Sequence, residues 1–85
     1  MKLHTARLGC FQLRGGRQAS IFQVNPDGSG TGLLVPVSPQ GEPEMGHTWK
    51  ANGEYSISFA GVPHMLDLIQ LTSQEPKTFE DYSAA

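Results

Sequence analysis

QASIFQVNPDGSGTGLLVPV, residues 18–37, holds two apolar runs on either side of a tight-turn sequence. In the NPDG segment, residues 25–28, the proline presets φ for the first central position of a type I turn, and the glycine takes the positive φ that follows. The pattern predicts a β-hairpin with a three-residue loop, in which Asn25 lies opposite Ser29.

That loop fixes which residues of the two strands face each other. Ile21 is predicted to pair with Leu33, and Ala19 with Val35, on one face of the sheet. The other face carries Phe22, Val24 and Leu34. Both faces are therefore apolar in part, as in a strand pair inside a small barrel or sandwich.

A strand over residues 8–13 is predicted before this hairpin, followed by a turn in RGGR, residues 14–17. Two adjacent glycines suit a two-residue type I′ loop, because both of its positions need a positive φ. Such a loop pairs Leu13 with Gln18 and completes a three-stranded meander.

A second hairpin is predicted over residues 46–59, where EYSISF, residues 54–59, has the clearest alternation of apolar and polar residues. A two-residue loop at the Asn-Gly pair would leave Trp49 on the polar face. A three-residue loop with a left-handed Gly53 instead pairs Trp49 with Tyr55. We favour this second register, because burying a tryptophan stabilises a protein by about 2–3 kcal/mol. Trp49, Tyr55, Ile57 and Phe59 then share one face, which we expect to belong to the core. The alternative is that part of this face stays exposed as an aromatic patch that anchors a partner protein or a second copy.

The end of the chain offers one more strand. Residues 66–71, LDLIQL, are predicted to form a final strand, or a short helix-to-strand piece, that closes the open edge of the sheet. Later residues are polar and acidic, with Phe79 and Tyr82 as anchors for one or two helical turns. We expect a single β domain over residues 1–72 and a polar acidic tail over residues 73–85.

Composition supports an all-β fold. Ten glycines and six prolines in 85 residues suit many short strands joined by turns. The expected architecture is a small SH3-like or partly open barrel of five to six antiparallel strands, with a short C-terminal tail or helical turn. The SPQGEPE segment, residues 38–44, is expected to be an exposed loop between the two hairpins.

Cellular location follows from what the sequence lacks. Cys10 is the single cysteine, so an internal disulfide framework is excluded, and we expect a small, buried, inert thiol. The first seven residues lack the apolar segment of a signal peptide, and Pro36 interrupts the longest apolar run well short of the ~20 residues of a membrane span. We expect a cytoplasmic protein without membrane contact, as a monomer or homodimer.

Charge is divided unevenly along the chain. Four basic residues and no acid precede Asp27, whereas the remainder holds all eight acids and two lysines. We favour pairing of these charges within the domain, since four cations are few for binding nucleic acid. The alternative is a basic contact surface, in which Arg14 and Arg17 project from one turn toward phosphates or carboxylates.

The sequence gives no sign of an enzyme, a metal or a cofactor. His4, His47 and His64 are widely spaced, and a closed zinc site needs four ligands. GSGTG, residues 28–32, lacks the lysine and helix of a phosphate-binding loop, and no serine lies in a Gly-x-Ser-x-Gly elbow. We expect His47 to be a partly buried sheet residue and His64 a turn residue whose ring caps a carbonyl.

Several segments together resemble small β-rich proteins encoded by bacteriophages and prophages. They are LRGGRQASI at 13–21, Trp49 with NGEY at 52–55, and Pro63-His64 with Asp67-Leu68. This pattern of turns and hydrophobic anchors covers about two thirds of the chain. Since such proteins are mostly of unknown function, the resemblance implies a mobile-element context and assigns no catalytic or binding residue.

Three functional hypotheses follow. The first is a non-enzymatic binding or accessory protein that occupies a surface on a host or phage protein, with Arg14, Arg17, Trp49 and Tyr55 as candidate binding residues. The second is a nucleic-acid-binding module that uses the basic N-terminal region. The third is a small enzyme of unknown type.

Overall fold

Five antiparallel strands form one open sheet in the computed structural model, which describes residues 3–38 and 41–83. The strands are β1 Gly9–Leu13, β2 Gln18–Val24, β3 Gly30–Leu34, β4 Glu44–Trp49 and β5 Leu68–Ser73, and a helical turn, α1 Phe79–Ser83, follows. Their order across the sheet is β4-β3-β2-β1-β5. The prediction of an all-β fold with antiparallel strands and a C-terminal helical turn is confirmed. The final strand joins the side of β1, so the sheet remains open instead of closing into a barrel.

The turn of the central hairpin forms as predicted. The Asn25 N–H donates to the Ser29 carbonyl at 2.8 Å, and the Gly28 N–H donates to the Asn25 carbonyl at 2.9 Å. Gly28 has φ of 91°. The Asp27 carboxylate accepts the Ser29 N–H at 2.9 Å, which adds a side-chain bond to the turn.

Beyond the turn, the predicted register of this hairpin is wrong by one residue. A bulge at Phe22 places an extra residue in β2, so that Ile21 pairs with Gly32 and Ala19 with Leu34. The bulge lets Ile21 stay in the core while the strand reaches the exposed turn. Glycine is required opposite Ile21, because a Cβ on Gly32 would overlap the Ser20 carbonyl.

The predicted type I′ loop between β1 and β2 is also wrong. The Leu13 N–H donates to the Arg17 carbonyl at 2.8 Å and the Gly16 N–H to the Leu13 carbonyl at 3.0 Å, which makes a three-residue loop. Of its two glycines only Gly16 has a positive φ, of 95°. Gly15 has a different role, since a Cβ there would lie 2.9 Å from the Cβ of Met65.

Both edge strands carry bulges. Three steps along β4, from Glu44 to His47, lie opposite two steps of β3, and the irregularity contains Gly46 with φ of 82°. In β5 the pairing with β1 shifts twice, and each shift places an extra residue in β5. A bulge twists the strand locally and leaves its extra residue unpaired.

One buried cluster fills the space on one side of the sheet. Its members are Ala6, Phe11, Leu13, Ala19, Ile21, Leu34, Trp49 and Leu68. Trp49 is fully buried, and its indole N–H donates to the Leu66 carbonyl at 2.6 Å. The prediction that Trp49 is a core residue is confirmed.

The second hairpin is confirmed only at its loop. The Lys50 N–H donates to the Glu54 carbonyl at 2.8 Å, Gly53 has φ of 97°, and Trp49 forms a bridge with Tyr55. After Tyr55, however, the chain turns instead of continuing as a strand. The predicted strand over residues 54–59 is therefore wrong, and β4 is an edge strand that pairs with β3.

The C-terminal segment packs on the sheet through a buried serine. The Ser20 hydroxyl accepts the Lys77 N–H at 2.7 Å and donates to the Lys77 carbonyl at 2.6 Å. α1 begins after Thr78, whose N–H and hydroxyl both donate to the Asp81 carboxylate. Tyr82 is half-buried, and Phe79 is 38% exposed.

Two smaller predictions need correction. Cys10 is half-buried, not buried, and its thiol donates to the Glu75 carbonyl at 3.5 Å. In the loop predicted over residues 38–44, Pro43 is buried and Glu44 already belongs to β4. Residues 39 and 40 of that loop lie outside the described residues.

Candidate functional site

The segment from Tyr55 to Asp67 forms an Ω-loop between the second hairpin and β5. Its two ends meet, because the Tyr55 N–H donates to Oδ1 of Asp67 at 3.0 Å. Compact loops of this length with close ends are frequently functional. We call this segment the Tyr55–Asp67 loop.

Asp67 organises the base of the loop. It is buried, and besides the Tyr55 bond its Oδ2 accepts the His64 N–H at 2.9 Å and Nε and Nη2 of Arg14 at 3.3 and 3.2 Å. Burial alone would raise the pKa of Asp67, but the N–H groups of His64 and Tyr55 and the Arg14 guanidinium together lower it below the ordinary value. Asp67 is therefore an ionised anchor with its acceptor sites occupied.

A second buried carboxylate holds the middle of the loop. Oε1 of Glu54 accepts the Asn52 side-chain N–H at 2.9 Å, and Oε2 accepts the Gly61 N–H at 2.9 Å. These two bonds, together with Lys50 at 4.0 Å, lower the pKa of Glu54 against the opposing effect of burial. The loop is thus tied to the hairpin at a point halfway along its length.

Ser58 and a backbone turn add further hydrogen bonds that hold the loop in place. The Ser58 N–H and hydroxyl both donate to the Tyr55 carbonyl, at 3.0 and 2.7 Å, and the Lys50 ammonium donates to the Ser58 carbonyl at 2.9 Å. The Val62 N–H donates to the Phe59 carbonyl at 3.0 Å. Serine hydroxyls that bond to nearby backbone compete with sheet formation, which explains why the alternating segment turns here.

The outer surface of the loop is apolar. Its exposed side chains are Ile57 at 76%, Phe59 at 79%, Val62 at 53% and Met65 at 64%. Summed over the four side chains, they present on the order of 400 Å² of apolar surface. Sequence reasoning assigned Ile57 and Phe59 to the core and so missed this surface.

Aromatic rings pack beneath the loop. The Tyr55 hydroxyl lies 2.7 Å from Nδ1 of His47, the His64 ring stacks on Tyr55 with centroids 4.9 Å apart, and Trp49 meets Tyr55 edge-on at 5.9 Å. Burial, with a smaller contribution from Glu44, raises the pKa of Tyr55. Its hydroxyl therefore stays protonated at neutral pH.

The carboxylate of Glu44 lies near this ring cluster without a hydrogen bond to it. Nε2 of His47 lies 3.9 Å from Oε1 of Glu44, too far for the hydrogen bond that would orient a general base. His47 is a partly buried residue of β4, as predicted. The prediction that the His64 ring caps a carbonyl is wrong. Its Nδ1 instead accepts a hydrogen bond from the Leu66 N–H at 3.1 Å.

The structure separates the four predicted binding residues. Arg14 pairs with Asp67 at the base of the loop, and Arg17 pairs with Glu44 at 2.9 Å on the edge strand. Trp49 and Tyr55 lie together, but Trp49 is in the core and Tyr55 supports the loop from below. Basic N-terminal residues thus pair with later acids, as favoured from the sequence.

Among residues 3–38 and 41–83, no group of three or more histidine, cysteine or carboxylate side chains is placed to hold a metal ion. Nor do these residues include a helix with the length and apolar character needed to cross a bilayer.

Comparisons with known proteins leave the site to be interpreted from its own geometry. No protein-family model matches the chain, and no match is found among curated proteins or solved structures. The resemblance to phage-encoded proteins and the SH3-like description therefore stay predictions.

Proposed function

We propose that this chain is a non-enzymatic binding protein that occupies a surface on a host or phage protein through its Tyr55–Asp67 loop. One observation carries the proposal: Ile57 and Phe59 are about three quarters exposed on a loop whose backbone is bonded to two buried carboxylates. Flexible loops can expose apolar residues transiently, whereas this loop is tied to the domain at its base by Asp67 and at its middle by Glu54.

The energetics favour such a role. Moving an isoleucine or phenylalanine side chain from water into an apolar pocket stabilises a complex by about 1.5–3 kcal/mol each. A loop already fixed in its bound shape loses little conformational entropy on association. A few central anchors of this kind commonly supply most of the affinity of an interface.

Nucleic-acid binding has weaker support. Arg14 and Arg17, the two arginines of the predicted basic turn, both form ion pairs with carboxylates of the same chain. The formal net charge of the whole chain is −2. A polyanion would have to compete with those pairs, without a dense basic surface to release counterions.

Affinity capture with matched variants tests the proposal. The tagged protein and its Phe59→Ser variant are used to capture proteins from a bacterial lysate, and Val37→Ser serves as the control, because Val37 is 84% exposed but lies outside the loop. We expect proteins that wild type and Val37→Ser retain and Phe59→Ser loses. Those proteins are then purified and their binding is measured by calorimetry.

Two results contradict the proposal. One is a set of captured proteins, and purified affinities, that are identical for Phe59→Ser and wild type. The other is a gel shift with single- or double-stranded oligonucleotides that is tight at low salt and weakens steeply as salt rises, which would favour the nucleic-acid module.

A further inference from the structure

We infer that the turn from His64 to Asp67 is a pH-sensitive switch, which holds the C-terminal end of the Tyr55–Asp67 loop while the His64 ring is neutral. The decisive feature is the hydrogen bond made by one ring nitrogen of His64. Such a switch acts on the loop whether or not the loop binds a partner.

His64 is bound to the turn through its backbone and through its ring. Its N–H donates to Oδ2 of Asp67 at 2.9 Å, and its carbonyl accepts the Asp67 N–H at 3.0 Å. Nδ1 of its ring accepts the Leu66 N–H at 3.1 Å. Because a backbone N–H can only donate, this last bond exists only while Nδ1 carries no proton.

Protonation of the ring removes that bond. A neutral imidazole has one donor and one acceptor nitrogen, whereas both nitrogens of an imidazolium are donors. Since Nδ1 of His64 is the acceptor, Nε2 carries the proton of the neutral ring, and a second proton must go to Nδ1. Imidazole groups take up this second proton at about pH 6.5, so the Leu66 N–H loses its acceptor as the pH falls through that range.

The other two histidines make bonds that are compatible with a charged ring. Nδ1 of His4 lies 2.7 Å from the Thr5 carbonyl, an acceptor, and so it already carries a proton. Nδ1 of His47 lies 2.7 Å from the Tyr55 hydroxyl, whose oxygen can accept as well as donate. Among the three histidines, all of them within the described residues, His64 alone makes a bond that requires a neutral ring.

Titratable and charged groups surround the His64 ring. Tyr55 stacks on it with an interplanar angle of 26°, and the Tyr55 hydroxyl contacts His47 of β4. Asp67 lies at the base of the turn and pairs with Arg14, which belongs to the loop between β1 and β2. The carboxylate and the tyrosine ring attract an imidazolium, whereas the guanidinium repels it. Because Arg14 already neutralises Asp67, this attraction replaces only part of the lost hydrogen bond.

The acids and the tyrosine near the turn keep one charge state while imidazole titrates. Burial raises the pKa of Tyr55 above its ordinary value of 10.0. Burial also opposes ionisation of Asp67, but N–H groups and the Arg14 guanidinium hold its pKa below 3.8. Hydrogen bonds from Asn52 and Gly61 hold the pKa of Glu54 below 4.5. Between about pH 7.5 and 5 these groups are constant and the histidines titrate.

Opening of the turn reaches beyond His64. The Leu66 carbonyl accepts the indole N–H of Trp49 at 2.6 Å, and the Met65 carbonyl accepts the Gly15 N–H at 2.7 Å. Met65 itself is one of the exposed apolar side chains of the loop. Acid near the pH at which imidazole titrates therefore loosens the end of the loop where Met65 contributes to the apolar surface.

Hydrogen exchange of the wild-type protein tests this switch. The protection factor of the Leu66 amide, which is corrected for the intrinsic effect of pH on exchange, should fall about tenfold between pH 7.5 and pH 5. Full loss of the neutral ring would give roughly thirtyfold, and the attraction of the imidazolium to Asp67 and Tyr55 reduces this value. The Asn25 amide, which donates to the Ser29 carbonyl in the hairpin turn, is the reference and should keep its protection.

His64→Asn separates protonation of this ring from other effects of acid. The side-chain oxygen of asparagine can accept the N–H two residues later, as in an Asx-turn, but it does not titrate. We expect Leu66 protection in this variant to stay nearly constant over the same pH range. His4→Asn and His47→Asn make the same exchange at the other two histidines and should both retain the tenfold fall.

Three results would overturn the inference. One is constant protection of the Leu66 amide in the wild-type protein, and another is an equal fall in His64→Asn. The third needs no variant and decides the matter if His64→Asn does not fold: ¹⁵N spectra of the wild-type histidine rings that show a proton on Nδ1 of His64 at neutral pH. A Phe59→Ser variant that binds partners as wild type does would contradict the proposed function and leave the switch intact.

Discussion

The central hairpin and the Tyr55–Asp67 loop use similar sequences in opposite ways. In the hairpin, Ile21 and Leu34 are buried and the backbone pairs with neighbouring strands. In the loop, Ile57 and Phe59 alternate with serines just as regularly, but the backbone is bonded to side chains and the apolar groups face water. The difference teaches that alternation predicts a strand only where the intervening polar residues leave the backbone free to pair.

The largest effect is expected for Asp67→Asn. It removes the anchor of the loop and leaves the Arg14 charge without its partner, so the free energy of unfolding should fall by about 3 kcal/mol or more. Urea denaturation measures the loss, and hydrogen exchange should show faster exchange at the amide of His64, which donates to Asp67. Asp27→Asn in the exposed turn of the hairpin is the matched control and should cost far less. Similar losses for the two would mean that the loop does not depend on its carboxylate.

Gly28 in the hairpin and Gly53 at the root of the loop both have a positive φ, so the cost of replacing each glycine can be compared. Gly28→Ala in the hairpin should cost about 1–2 kcal/mol, because alanine is strained at φ of 91°. Gly53→Ala at the root of the loop should cost about 2–4 kcal/mol, because the new Cβ would also run into the carbonyl of His4. Thermal unfolding of both variants gives the order directly. If Gly28→Ala loses more stability than Gly53→Ala, residue 53 does not lie close to the His4 carbonyl in solution.

Sequence reasoning succeeded where a single residue's conformation decides the structure. The NPDG turn could be predicted from the φ angles that proline and glycine adopt. The loop of the second hairpin could be predicted from a left-handed Gly53 and from the stability gained by burying Trp49. It failed at the bulge in β2, because an extra residue at Phe22 is set by the packing of Ile21 against distant parts of the sheet.

The loop was missed for a related reason. Its anchors, Glu54 and Asp67, are charged residues that composition places at the surface. Only tertiary structure shows that Arg14, 53 positions away in the chain, neutralises Asp67 and allows it to be buried. A signal was present in the serines of SISF, residues 56–59, and in the Gly-Val-Pro at residues 61–63, which are typical of turns.

Acid should loosen the loop before it disrupts the hairpin. The folded-state pKa of Asp67 lies below its ordinary value of 3.8, so its contribution to stability is complete above that value and is lost as the pH falls through the lower folded pKa. Hydrogen exchange as a function of pH below about 4 should therefore show the loop amides losing protection first. In Asp67→Asn the amides of Tyr55 and His64, already poorly protected, should change little over the same range, whereas the Gly61 amide, which donates to Glu54, should still lose protection. Simultaneous loss in both regions would contradict this order.

The smallest effect on stability is expected for Ile57→Ala. Because this side chain is exposed, the free energy of unfolding should change by less than about 0.5 kcal/mol. The same substitution at the fully buried Ile21 should cost about 2–5 kcal/mol. Chemical denaturation of the two variants gives a direct measure of how differently the regions use one residue type. A large loss for Ile57→Ala would show that the loop packs its apolar side chains against the domain.

The bulges in β4 and β5 have a consequence for how copies of this protein behave at high concentration. An open sheet normally offers two straight edges to which further strands can add, and that is a common route to edge-to-edge aggregation. Here the edges are bent by the extra residue near Gly46 and by two more in β5, so an incoming strand cannot form a continuous ladder. The chain can therefore expose an apolar loop without also offering a straight strand edge as a template for fibre growth.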